Sequence, residues 1–403
     1  MVEKYSMDMK NIDDFNFRNR KALLRVDFNV PLNNELIVTD ETRIIAAILT
    51  IKKIINEGGS VILMSHLGRP KKGPEDQYSL KHIIPNLQER LGTEVKFASD
   101  CIGASALELS QTLGTGEVML LENVRFYPEE TKGDEDFASK LAKLGDIYVN
   151  DAFGTAHRAH ASTTIVAQFF EDKCAGYIMG SELANAKKVL EDPNRPFTAI
   201  MGGAKISDKI MIIEKLLDKV DHLIIGGGMS YTFSKAQGGA IGKSLCEDNR
   251  MALTLELIEK AKAKGVKLYL PLDNVIADDF SNNAHRQIVN SGEIPDGWEG
   301  LDIGPQSIDS FENVIKTSKT ILWNGPMGVF EFPNFAVGTE AIAEAVVTAT
   351  QNDGFSLIGG GDSAAAINNL GYGDKVSYIS TGGGALLEYM EGKILPGVAV
   401  LED

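Results

Sequence analysis

An α/β architecture of two domains, each built on a mainly parallel sheet, is what this 403-residue sequence predicts, on three observations. Short apolar runs alternate with helix-period segments twice along the chain. Most of these runs are apolar on both faces, as strands covered by helices must be. Polar and glycine-rich clusters fall just after the strand candidates, at the edge where open α/β sheets bind ligands.

In the first half the strand candidates are 22–26, 60–64, 94–97, 117–121 and 146–149, with helices predicted at 42–56, 79–91, 102–109 and 134–144. A helix over 181–190, with Ser181 as its N-cap, leads into Glu191-Asp-Pro-Asn-Arg-Pro196, which breaks the pattern. The second half opens on a strand at 197–201 and continues through 222–225, 267–270, 320–323, 355–358 and 376–379. A helix over 206–220 is predicted after the first of these, which would put Lys205 and Lys209 on one face of its start.

Composition narrows the function classes. The net charge of −16 argues against a general nucleic-acid binder or an anionic membrane surface. It leaves room for a phosphorylated substrate held by a local cluster of arginines. Cys101, Cys174 and Cys246 are too few and too scattered for a disulfide framework, which suits a reducing compartment. The first 17 residues lack an apolar core, so no signal peptide is expected, and no run approaches the roughly 18 apolar residues of a membrane span. A cytoplasmic protein is the expectation.

The two halves present different chemistry. Only 11 arginines occur, yet Arg43, Arg69, Arg125 and Arg158, together with His66, all emerge after strands of the first half. Their segments are Arg25-Val-Asp-Phe-Asn-Val-Pro31, Ser65-His-Leu-Gly-Arg-Pro70, Glu122-Asn-Val-Arg-Phe126 and 150–160. A guanidinium fork pairs bidentately with phosphate or carboxylate. Asp27 and Asn29 are turn residues or partners for substrate hydroxyls. His157 and His160 lack the third His or Cys that a metal site would need.

The second half presents backbone. Gly202-Gly-Ala-Lys205, Gly226-Gly-Gly228, Asn324-Gly-Pro-Met-Gly328, Gly359-Gly-Gly-Asp362 and Gly382-Gly-Gly384 each follow a strand candidate, where exposed N–H groups can approach an anion. Asp362 suits a phosphate-bound Mg²⁺ and Glu331 a ribose hydroxyl. The stretch 238–244 imitates a phosphate loop but has Gln237 where the first glycine belongs. No Gly-x-Gly-x-x-Gly occurs, against a nicotinamide-dependent oxidoreductase, and the lack of an export signal argues against a two-lobed exported binding protein.

Together these segments, in order and spacing from Arg25 to about Pro396, resemble the phosphoglycerate kinase family. The resemblance implies two Rossmann-like domains joined by an interdomain helix: 1–180 for phosphoglycerate, 181–193 as the helix, and 194–386 for nucleotide. The tail 387–403 would return to the first domain. It implies a cytoplasmic monomer that transfers phosphoryl between 1,3-bisphosphoglycerate and ADP, with Mg²⁺, by in-line transfer after hinge closure.

Matched position by position, Asp27, Asn29, Arg43, His66, Arg69, Arg125 and Arg158 would hold the phosphoglycerate, with Arg43, Lys205 and Lys209 catalytic. The nucleotide would meet Gly203, Ala204, Lys209, Gly226, Gly227, Gly300, Asn324, Pro326, Gly328, Val329, Glu331, Gly360, Gly361, Asp362 and Ser363. Asp362 would hold the metal, and Gly383 and Gly384 would donate backbone N–H groups to the transition state. Leu386 departs from the family, which has serine there, and Ser363 replaces a common threonine. No general base is expected, because the acceptor of ATP's phosphoryl group is a carboxylate already ionised at neutral pH.

Overall fold

Six parallel strands form the first sheet, in the order 95–97, 118–120, 60–64, 21–25, 147–150, 173–175. Six more form the second, ordered 267–269, 222–225, 197–201, 320–324, 355–359, 378–379, again parallel throughout. This computed structural model describes residues 9–402. The first eight residues and Asp403, assigned from sequence to the first domain and the tail, lie outside the described residues.

The chain divides into two compact units, Met1–Leu183 with Lys393–Asp403, and Ala184–Gly392. No described helix is long and apolar enough to cross a membrane.

The strands form where the sequence is apolar on both faces. All five residues of Ser60–Met64 are buried, as are all five of Phe197–Met201 and of Thr320–Asn324. Helix Thr42–Asn56 turns Ile44, Ala47, Ile51 and Ile54 onto the first sheet, where they join Leu24, Val61 and Leu63 in one core. In the second unit Trp323, Phe311, Ile342 and Ile358 lie at the centre of the equivalent core.

Several elements differ from the sequence reading. The helix expected over 206–220 is only Ile210–Leu216. Before it, Lys209 N closes a tight turn on Ile206 O (2.9 Å), and Ser207 N donates to Glu247 Oε2 (3.0 Å). Lys205 and Lys209 therefore precede the helix rather than sharing a face of it. Ser181 is not an N-cap: it lies within helix Tyr177–Leu190, whose start is held by Asp151 Oδ1 accepting from Ile178 N (2.7 Å) and Met179 N (3.1 Å).

An antiparallel three-stranded sheet, Asp273–Ala277, Arg286–Asn290 and Glu299–Ile303, was not foreseen. Its strand Arg286–Asn290 is exposed at nearly every position and shows no apolar alternation.

The chain re-enters the first unit at Lys393, later than residue 387. Helix Gly384–Met390 stays with the second unit and contacts Ile210–Leu216. Leu386 is buried and lies against Gly359, so apolar packing fills the place of a serine hydroxyl.

The returning tail lies on the loop that follows strand Ile147–Asn150. Gly397 N donates to Ala156 O (2.9 Å), Asn150 Nδ2 donates to Gly397 O (3.2 Å), and Leu395, Val398 and Leu401 are buried. Ala156 is two residues from Arg158, so the tail braces that arginine's loop. Leu395→Ala should cost about 2–4 kcal/mol through the cavity it leaves. Urea unfolding measures this, and an unshifted midpoint would remove the tail from the core.

Candidate active site

Parallel pairing brings the cationic segments of the first unit to one rim. Arg25 is in register with Met64 and with Asn150, so Asp27, His66 and the loop after Asn150 start side by side. Arg43 sits in the first turn of helix Thr42–Asn56 and reaches back to this rim. Its Nη1 is 3.0 Å from Asp27 Oδ2 and donates to Asn29 O (3.1 Å). Asn29 Oδ1 accepts from Gly68 N (2.8 Å), and Arg125 Nη1 donates to Gly68 O (2.9 Å). The loop carrying Arg69 is thus tied to both neighbours.

Arg69, Arg125, Arg158 and His160 line one hollow on this unit. Arg69 and Arg158 are exposed, Arg43 and Arg125 half-buried, and His66 buried. Burial, reinforced by Arg25 and Arg158, lowers Arg125 to about 10. Burial and then the charges of Arg125, Arg158 and Arg25 lower His160 to about 4. For His66, burial comes first and Arg25, Arg125, Arg43 and Arg158 follow, holding the ring well below its ordinary value. Both histidines are neutral at physiological pH, and the arginines carry the charge.

The second unit builds its pocket from backbone. Strand Thr320–Asn324 pairs with Phe197–Met201 and Phe355–Gly359, so three glycine-rich loops leave together. Gly202 N donates to Asn324 O (2.9 Å), Gly203 N to Pro326 O (2.9 Å), and Gly227 N to Met327 O (3.1 Å). Gly227 has φ +66°, and a Cβ there would meet Gly203 N at 2.6 Å and Pro326 O at 2.8 Å. The interlocked loops leave no room for a side chain at that position.

The resulting pocket of about 480 Å³ is lined by nine of the expected residues: Gly203, Ala204, Gly227, Gly300, Pro326, Gly328, Val329, Glu331 and Asp362. The other expected contacts lie behind it or beside it. A Cβ on Gly226 would contact Met327 Cε at 3.1 Å, and the Ser363 hydroxyl accepts from Gly325 N (2.6 Å), so both support the loops. Gly360 and Gly361 start helix Gly361–Asn369, and Gly383 (φ +50°) and Gly384 start Gly384–Met390.

Lys205 is exposed on its loop. Lys209 is half-buried and donates to the backbone and side-chain oxygens of Asn324. Burial lowers it to about 8, against the opposing charges of Asp362 and Asp208. Asn324 then has a buried Nδ2 with no partner, close to the backbone of Gly360. A buried amide donor left unpaired costs about 1–3 kcal/mol, and an anion at the start of helix Gly361–Asn369 would satisfy it.

The sequence reading missed the apolar and cationic lining. Leu245 and Phe280 are large apolar side chains left 45% and 57% exposed, and both face this pocket with Leu301 and Tyr231. Apolar surface gathered in a pocket in this way marks a ligand-binding wall. Lys243 also lines the pocket, and it belongs to the 238–244 stretch set aside as an imperfect phosphate loop. In the first unit, Arg25, Glu130 and Ser162 carried no assignment from sequence.

The family model described as phosphoglycerate kinase matches residues 12–393. A phosphoglycerate kinase of Porphyromonas gingivalis is 53% identical, the match covering 97% of this chain and 99% of that one. A cytosolic phosphoglycerate kinase of Nicotiana tabacum is also 53% identical, over 100% of this chain and 99% of its own. The solved structure of phosphoglycerate kinase from Coxiella burnetii superposes with a TM-score of 0.89 at 40% identity, covering 98% of each chain.

Beneath the loop that carries Gly328 lies Asp302, almost fully buried. Its Oδ2 accepts from Gly338 N and its Oδ1 from Ile303 N, both at 2.8 Å, and a side chain at Gly328 would collide with it. Burial pushes its carboxyl up to about 7, against those two hydrogen bonds. In the unfolded chain it titrates near about 3.9. Between those values the native state binds the extra proton, so stability falls as pH rises through the window. Relative to Asp302→Asn, the unmodified protein should lose up to about 1.4 kcal/mol per pH unit between about pH 4 and 7. Urea midpoints of both proteins across that range check the slope, and parallel curves would contradict it.

Proposed function

The chain belongs to the phosphoglycerate kinase family, and on that premise we propose that its first unit holds the phosphoglycerate and its second the nucleotide. The family's reaction is its function: reversible phosphoryl transfer from 1,3-bisphosphoglycerate to ADP, giving 3-phosphoglycerate and ATP in glycolysis. The observation that carries the division of labour is the contrast between the two rims. One is crowded with Arg43, Arg69, Arg125 and Arg158; the other is mostly glycine backbone and an apolar wall, with no arginine and with Glu299, Glu331, Asp362 and Lys243 as its charged lining.

In this reading Arg69, Arg125 and Arg158 bind the phosphate and carboxylate of 3-phosphoglycerate, with Asp27, Asn29 and His66 on its hydroxyl side. Asn29 retains its NH₂ for this, since its Oδ1 accepts from Gly68. Leu245, Phe280 and Val329 sandwich the purine, and Glu331 accepts from the ribose. Arg43 and Lys205 meet the group in transfer, Lys209 and Asn324 the nucleotide phosphates, and Gly383 and Gly384 add backbone donors.

Mg²⁺ fits Asp362, which stands on the pocket edge with no cluster of three or more ligating side chains among the described residues. That donor set suits an ion that arrives on the nucleotide and keeps its phosphate and water ligands. When bound, it neutralises charge on the phosphate oxygens.

The carboxylate acceptor needs no base, so catalysis reduces to positioning and charge stabilisation. A coupled assay following ATP formation from 1,3-bisphosphoglycerate and ADP tests the assignment. In it, Arg43→Ala and Lys205→Ala should each lower kcat by about 10²–10³ while nucleotide binding changes far less. Near-normal turnover in both variants would remove these roles.

Substrates carried on separate units react only if the units bring them together and exclude water, or ATP would be hydrolysed. We take the protein to be cytoplasmic, as the cytosolic tobacco relative supports, and to close as a monomer. Small-angle scattering with both substrates should give a smaller radius of gyration than the free protein, at monomer mass. An unchanged radius would sink the hinge, and a dimer mass the monomer.

A further inference from the structure

Arg25 ends strand Lys21–Arg25 and is 1% exposed. Each nitrogen of its guanidinium has a partner. Nη1 donates to Val26 O; Nε donates to Ser162 Oγ (2.9 Å); Nη2 lies 3.2 Å from His66 Nδ1. The counter-charge is one residue removed. Ser162 Oγ donates to Glu130 Oε1 (2.6 Å), and Ser162 N donates to Glu130 Oε2 (2.9 Å). Ser162 and Glu130 are as deeply buried as Arg25 itself.

A guanidinium has five N–H donors and no acceptor. His66 Nδ1 therefore accepts from Arg25, and the imidazole proton resides on Nε2. We propose that Ser162 and Glu130 are positioning residues for the phosphoglycerate site: they lock Arg25, and Arg25 fixes His66 as the Nε2–H tautomer, so that the ring meets its substrate as a hydrogen-bond donor. The proposal deepens the assignment of His66 to the substrate and rests on it.

Two features make the chain rigid rather than incidental. Glu130 is gripped at both oxygens by one residue, which sets the Ser162 hydroxyl to accept from Arg25 while it donates to Glu130. Among groups as buried as these, such a chain polarises along its length. Burial pushes the Glu130 carboxyl up, Arg25 opposes it, and the Ser162 bonds act with Arg25. His66 is meanwhile faced by Arg25, Arg125, Arg43 and Arg158, which together with burial keep the ring from charging. A second proton on Nδ1 would also point at the Arg25 N–H. The tautomer is thus the one protonation state that the surroundings accept.

The first test uses the free full-length protein. Long-range ¹H–¹⁵N spectra of the imidazoles at neutral pH, with His66 assigned by its loss in His66→Gln, should show a pyridine-like Nδ1 and a pyrrole-like Nε2. The opposite pattern overturns the proposal, whatever any variant does. In Ser162→Ala the two nitrogens should move toward averaged shifts, and KM for 3-phosphoglycerate should rise about tenfold, with kcat and KM for ATP little changed. Glu130→Gln keeps an acceptor for Ser162 and should fall between the two.

Unmoved nitrogen shifts with an unmoved KM for 3-phosphoglycerate in Ser162→Ala would overturn the chain, as would equal damage to both KM values. If instead His66→Gln leaves KM for 3-phosphoglycerate unchanged, the substrate assignment of His66 fails. The positioning role then fails with it, and the nitrogen spectra alone still decide the tautomer.

Discussion

Parallel strand pairing is the constraint on which the rest of this molecule depends. Strands that run the same way end at the same edge, and the segment after each strand must begin there. In the first sheet Arg25 is level with Met64 and Asn150, so Val26, Ser65 and Asp151 leave the sheet together. In the second, Asn324 is level with Met201 and Gly359. Helices make the return journeys, as parallel connections require, and no loop has to travel to reach the rim. Residues far apart in sequence become neighbours by backbone hydrogen bonding alone, before any side chain is chosen.

The two rims then meet opposite demands. On the proposed division of labour the first rim holds a multiply charged acid, which requires fixed positive charge, and the cost of that charge is visible in the titrating groups. Arg125 falls to about 10, His160 to about 4, and His66 lies well below its ordinary value, each chiefly from burial and then from neighbouring cations. An arriving anion relieves that crowding, which favours binding over the empty state. The net charge of −16 does not defeat this, because fields between exposed charges fade over about 8 Å at physiological salt. On the same proposed division the second rim must admit phosphates and a ring closely, and omitting side chains makes room for them. Gly227, pressed against Gly203 and Pro326, shows how tightly those loops interlock.

How legible this was in the sequence varied with the kind of signal. Central strands were legible because a short run apolar on both faces suits little besides a strand covered on both sides. The rim was legible because arginine and glycine clusters repeat after those strands. The helix expected over 206–220 failed because apolar spacing reports burial rather than helicity. Ile206, Leu217 and Val220 are buried, yet all lie outside Ile210–Leu216. The exposed strand Arg286–Asn290 offered no periodicity to read. Phe280 and Leu245 carried no assignment from sequence, since only the fold puts them on one wall. Glu130 and Ser162 stand 32 residues apart, and nothing in either segment announces the other.

The choice of cation on each rim follows from what burial does to each. Arg125 is pushed down to about 10 by burial and then by Arg25, Arg158 and Arg69, and it still carries its charge at neutral pH. Lys209, more deeply desolvated but with acidic neighbours helping it, drops to about 8. An ammonium placed among the arginines of the first rim would lack that help and would tend to shed its proton. Lysine is serviceable on the second rim because Asp362 and Asp208 are there to hold its charge. Arginine on one side and lysine beside carboxylates on the other both answer to desolvation, which acts on two groups whose ordinary values start about two to three units apart.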